Sequence, residues 1–216
     1  MRLRLFIISV LCFYGCSSFN DNNLANTEKF QIAVDLFDNE KYQKAKEYFE
    51  EIVQNEQGTN LGLESTFYLA KTLYELKEYE EASYNFNYFS MFSKDIENVE
   101  YSQYMKSKCA YELTLPYNKD QSSTLYAISI IQEFLDNFPY SSYKDSAFDM
   151  IIKLRHRLGR KKFESGRLYL KMKKYDSALY YFDIIISEYY DTKFHDEALI
   201  YYIFTYIVMN DYDKAI

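Results

Sequence analysis

The chain has 216 residues, 48% of them hydrophobic and 26% charged, with a net charge of −7. That is enough chain to bury a core, in one domain or a short solenoid. The acidic balance excludes a general attraction to nucleic acid. With 5 Gly, 2 Pro and no Trp against 25 Tyr, the chain carries few breakers, and helix is expected throughout.

The N-terminus comes first. Arg2 and Arg4 precede a nine-residue apolar run, Leu5 to Phe13, followed by Gly15 and Cys16. A helix needs about 20 residues to cross a bilayer, so the run reads as a signal peptide over residues 1–15. Cys16 directly after a small residue is the expected lipidation point, and residues 16–25 are the tether. If Cys16 carries lipid and Cys12 leaves with the signal, Cys109 is the remaining thiol. It lies in an apolar helical pattern with Tyr104, Met105, Ala110 and Leu113, as a small buried hydrophobe would.

Residues 26–216 form the repeat domain. Its pattern is Tyr-x-x-Ala-x-x-x-aromatic, with a small residue nine positions before the Tyr. Ala33 precedes Tyr42, Ala45 and Phe49; Ala70 precedes Tyr79, Ala82 and Phe86; Gly166 precedes Tyr175, Ala178 and Phe182. A further copy begins at Tyr212 and Ala215. The third copy is stretched: Ala110 and Leu113 lead into the insertion TLPYNKDQSS, and its second helix carries Ala127, Ile131 and Phe134 before stopping at Pro139. The next helix is long, with Ser141 or Ser142 as its cap and Asp145 in its first turn. Each small residue marks the point where two helices cross, and the aromatic fills the space between neighbouring pairs. One pair cannot hide both faces, so pairs must stack. GTNLG (58–62) lacks the Lys-Ser/Thr of a phosphate loop and reads as a turn between repeats.

Chemistry-bearing residues are sparse. His156 and His195 lack metal-ligand spacing, and no nucleophile–base set stands out. The distinctive feature is the segment 153–174, where ten Lys and Arg residues meet one acid, Glu164. Arg155, Arg157, Arg160, Lys161 and Arg167 are its candidate partner-binding residues, with Arg155 offering a bidentate fork to a carboxylate. An acidic protein face and acidic lipid headgroups are the two partner chemistries. The first two repeats are dense in aromatics, among them Phe30, Phe37, Tyr42, Tyr48, Phe67, Tyr68, Tyr74, Tyr84, Phe86, Tyr88 and Phe89. Most are expected in the core, with some Tyr lining a wall able to hold an extended peptide.

The helix pairs resemble the tetratricopeptide repeat, implying an all-α solenoid of about five repeats wound as a right-handed superhelix. The anchor and repeats together resemble the BamD family of the β-barrel assembly machinery. The matching segments run in order: KFQIAVDLFDNEKYQKAKEYFEEIV, the third-repeat insertion with IQEFLDNFPYSSY, KLRHRL, and FESGRLYLKMKKYDSALYYF. The resemblance implies a non-enzymatic lipoprotein on the periplasmic side of the outer membrane. No cofactor is expected beyond the covalent lipid. It implies binding to the POTRA domains of a BamA-like barrel protein through the C-terminal repeats. The N-terminal repeats would receive the C-terminal strand of unfolded outer-membrane proteins, and other assembly lipoproteins would be further partners. The repeats and anchor alone also suit another periplasmic lipoprotein, one that coordinates the cell envelope or binds surface glycans.

Overall fold

The computed structural model describes residues 24–211 and 213. The signal segment, Cys16, most of the tether, Tyr212 and Ala215 lie outside the described residues. Among those described there is no strand, and the helices are α1 (Asn26–Asp38), α2 (Tyr42–Asn55), α3 (Asn60–Glu75), α4 (Tyr79–Phe92), α5 (Ile96–Glu112), α6 (Ser122–Asn137), α7 (Lys144–Lys171), α8 (Tyr175–Glu188) and α9 (Phe194–Val208). Each packs mainly on its neighbours in sequence, the arrangement of a tetratricopeptide-like solenoid. None is long and apolar enough to cross a membrane.

The repeat residues sit where the crossing argument puts them. Ala33, Ala70, Ala45, Ala82, Ala127 and Ala178 are fully buried, and Ala110 and Gly166 nearly so. Phe49, Phe86 and Phe182 fill the space four residues after each helix-B alanine, and Ile131 takes that place in the stretched repeat. Each is fully buried.

The turns that follow α1, α3, α7 and α9 share one backbone device. Glu40, Lys77, Lys173 and Asn210 all adopt positive φ, between 58° and 64°. Around Lys77, its own N–H bonds the Tyr74 carbonyl and the Glu78 N–H reaches back to Leu73; the same pair of bonds recurs at the other three turns. This is a Schellman C-cap, normally given to glycine because a Cβ is strained there. Lys77→Gly is therefore expected to raise stability by up to ~1 kcal/mol, the left-handed strain slightly outweighing the added unfolded-state entropy. A urea melt compared with the parent checks it; a loss of stability would mean that the lysine makes a contact worth more than the strain.

The turn expected over 58–62 is an inter-repeat link only at its start: the link runs over 56–59, and residues 60–62 are already the first turn of α3. Gly58 has φ +78°, the Thr59 hydroxyl caps α3 by accepting the Gly62 N–H at 3.0 Å, and a Cβ on Gly62 would fall 2.0 Å from the Glu56 carbonyl oxygen. The cap expected at Ser141 or Ser142 is corrected. The residue before α7 is Tyr143, whose side chain caps nothing. It stacks on Tyr104 at 4.3 Å instead, while Ser141, two residues before the cap position, donates to Glu100 at 2.6 Å and accepts the Tyr143 N–H. Aromatic packing against α5 sets the start of this helix.

With 28 residues, α7 spans about 42 Å. Its first half, to Leu154, closes the core built by α1–α6, and from Leu158 onward it packs on α8 and α9. The basic segment begins where the two cores meet. Cys109 is fully buried, and burial pushes its thiol up to about 12.

Candidate functional site

Two surfaces stand out, one in each half. The first is a groove of about 610 Å³ between α3 and the start of α5, closed at one side by the end of α4. Phe67, Tyr68 and Lys71 lie on one face of α3 at helical spacing, and they build its floor with Phe89 and Tyr101. Phe67 packs on Phe89 at 4.7 Å and edge-on to Tyr101 at 5.8 Å. The Lys71 ammonium lies 4.6 Å from the Tyr68 ring, 4.7 Å from Phe37 and 5.6 Å from Phe67. Burial lowers its pKa, opposed by Asp38 and Glu75. Asn60, Glu64, Ser93, Asp95 and Asn98 form a polar rim. An apolar floor with polar edges suits an extended chain, whose side chains go down and whose backbone needs partners along the rim.

This assigns the aromatics of the first repeats. Phe30, Phe67, Phe86 and Phe89 are buried, Phe37, Tyr42, Tyr48 and Tyr74 half-buried, and Tyr68 lines the groove. Tyr84 and Tyr88 are exposed on a separate cleft with Phe92 and the 56–60 turn. Lys71 escaped sequence reasoning; its signal was a lone cation one turn from Phe67 and Tyr68.

The second surface is the basic helix, and the structure gives its residues unequal roles. Arg155 spends its fork inside the chain, donating from Nε and Nη2 to Asp191 at 2.7 and 2.6 Å and from Nη2 to the Glu188 carbonyl at 2.7 Å. This hydrogen-bonded pair holds the Asp191 carboxyl below the usual carboxylate range. Arg157 donates to the Thr114 hydroxyl and, at 3.2 Å, to the Leu115 carbonyl. Arg160 lies over the Tyr117 ring at 4.0 Å, and Lys161 donates to the Lys119 carbonyl at 2.5 Å. Three of the five candidates thus fasten the third-repeat insertion, and Arg155 fastens the α8–α9 loop. Arg167 is different: it is exposed and paired at 3.3 Å with Glu164 on its own helix. It borders a cleft of about 520 Å³ between α7 and α9 with Leu168, Leu170, Lys171 and Tyr201. Leu168 is 56% exposed, and the outer face of α9 shows Ile200, Ile203, Phe204 and Ile207.

His156 and His195 lie on different helices, His195 beside Asp196 at 3.0 Å. Among the described residues no group of three or more His, Cys, Asp or Glu could hold a metal ion.

The chain is thus a stacked-helix solenoid with an aromatic groove in one half and a basic, partly apolar flank in the other. The chain belongs to the YfiO family, described as outer membrane lipoprotein, whose model matches residues 22–215. It is similar to the outer membrane protein assembly factor BamD of Rickettsia prowazekii (strain Madrid E), 27% identical over 99% of this chain and 86% of that relative's length. It is also similar to the protein of the same name from Caulobacter vibrioides, 23% identical over 86% of this chain. There the match spans 61% of the relative, less than two thirds of its length.

Proposed function

We propose that this chain is a scaffold of the outer-membrane β-barrel assembly machinery. It is held by lipid on Cys16 to the periplasmic side of the outer membrane and docks a BamA-like barrel protein through a POTRA domain. The observation that carries the reading is the family match across the whole repeat array, residues 22–215, together with two relatives named as outer membrane protein assembly factors. The α3–α5 groove is the seat for an extended segment of an unfolded outer-membrane protein. The α7–α9 cleft, with Arg167, Lys171, Leu168 and Tyr201, is the docking surface for the barrel protein or for companion lipoproteins. Arg155, Arg157, Arg160 and Lys161 contribute by holding the neighbouring loops in place.

Co-purification from mildly detergent-solubilised outer membrane tests this. A POTRA-bearing barrel protein is expected with the parent chain, and about tenfold less with Arg167→Glu combined with Lys171→Glu, a double reversal that leaves the buried core untouched. Absence of any such protein from the parent sample would overturn the reading. Cys16→Ser is expected to move the chain into the soluble periplasmic fraction, read by fractionation, because removing the acyl chains removes the membrane affinity.

A further inference from the structure

Between the insertion, the middle of α7 and the α8–α9 loop lies a pocket of about 300 Å³ that the assembly role does not use. Lys153, His156, Arg157 and Arg160 from α7 line it, with Lys193 from the loop and Tyr117 from the insertion; none of its lining residues is acidic. One acid in each flanking loop is already engaged. Asp191 is held by Arg155, and Asp120 accepts the Ser122 N–H at 2.8 Å. Lys153, Arg160 and Lys193 have no ion-pair partner among the described residues. The Arg160 guanidinium lies over the Tyr117 ring at 4.0 Å and makes no hydrogen bond among the described residues, so its N–H donors are available to a ligand. His156 keeps Nδ1 buried without a partner, so Nε2 is the nitrogen it can offer a ligand.

We propose that this pocket binds a phosphate group carried on a small ester. Four formal cations around a small volume, without a carboxylate among them, are better neutralised by the spread charge of a phosphate than by one carboxylate. Its tetrahedral oxygens accept from the guanidinium edge and from ammonium groups arriving from different elements. The volume is that of a headgroup, too small for a helix or strand of a partner protein. The site stands independently of the docking cleft, which lies further along α7 and is lined by other residues.

The test uses the unlipidated Cys16→Ser chain with two probes at low salt. One is sn-glycerol 3-phosphate, followed by calorimetric titration. The other is phosphatidylglycerol vesicles against phosphatidylcholine vesicles, followed by sedimentation. Lys153→Gln with Lys193→Gln is the variant of choice, because both side chains are exposed and hold no loop. It is expected to bind the ester about tenfold or more weakly with an unchanged melting temperature. Binding of both probes with the same loss in the variant identifies a lipid headgroup as the source, and binding of the soluble ester alone identifies a free phosphate compound. The proposal is overturned if neither probe binds the parent, if the variant binds as tightly, or if an acidic peptide binds the pocket where both phosphate probes do not.

Discussion

Phe182→Ala is expected to destabilise the chain by about 3–5 kcal/mol, the range for truncating a fully buried phenylalanine. The ring is fully buried and touches Phe163 at 6.1 Å and Tyr201 at 5.6 Å between centroids, so it joins α7, α8 and α9. Its neighbour Gly166 gives the reciprocal experiment. A Cβ on Gly166 would lie 2.6 Å from Cε1 of Phe182, with two further ring atoms within 3.0 Å. Alanine would gain ~1 kcal/mol of helix propensity, but overpacking costs ~1–3 kcal/mol. A ring with no free surface cannot step aside, so overpacking wins and Gly166→Ala is expected to be a net loss of up to about 2 kcal/mol. The two substitutions share one volume, so they must not add. Gly166→Ala made in the Phe182→Leu background should be nearly free or favourable. Chemical denaturation of the four proteins measures the coupling, and simple additivity would mean that α7 and α8 shift apart to admit the methyl.

That pair shows why the fold was legible before any coordinates. A helix crossing at close distance demands a small residue at one position and tolerates no other, so the requirement prints itself on the sequence at a fixed offset from the turn. Ala33, Ala70, Ala110 and Gly166 are four printings of one rule, and the stretched third copy is readable because its neighbours are regular. The site was less legible. The basic segment was visible as a run of charge, but a run does not say where each side chain ends. Arg155 meets Asp191 36 residues away, and Arg157 meets Thr114 43 residues away. Those partners are set by how an insertion and a loop fold over α7, which no local spacing records. Lys71 was hidden for the opposite reason. Its surroundings are aromatics from α1 and α3, and in a chain with 42 Tyr and Phe residues one more aromatic contact carries no signal.

Arg155→Ala is expected to cost about 2 kcal/mol at pH 7. A hydrogen bond to a charged group is worth ~1.5–3 kcal/mol, and partial exposure of both partners discounts the fork well below twice that figure. The loss goes beyond one ion pair. The same guanidinium closes the C-terminal end of α8 through the Glu188 carbonyl, where a cation is favoured by the helix dipole, and covers Tyr189 at 5.4 Å. Arg155→Lys should recover less than half, because one ammonium cannot bridge both carboxylate oxygens and the carbonyl together. The pH dependence follows from the depressed Asp191 carboxyl. A group whose pKa is lower in the folded chain adds stability above its unfolded value, about 3.9 for Asp, and this is lost as pH falls through the folded value. The gap between the parent and Arg155→Ala should therefore be full at pH 7 and shrink below about pH 4, as urea melts at the two ends of that range would show. A gap unchanged at pH 3 would place the stabilisation in the Glu188 carbonyl and Tyr189 contacts, which do not titrate there. The functional consequence separates the two halves of the basic helix. Arg155→Ala should weaken partner capture only as far as it loosens the α8–α9 loop, with a matching fall in melting temperature. Reversing Arg167 and Lys171 should weaken capture while the melting temperature stays nearly constant, because both side chains border the cleft and the one ion pair lost, Arg167 with Glu164 on its own helix, is an exposed i,i+3 pair worth little.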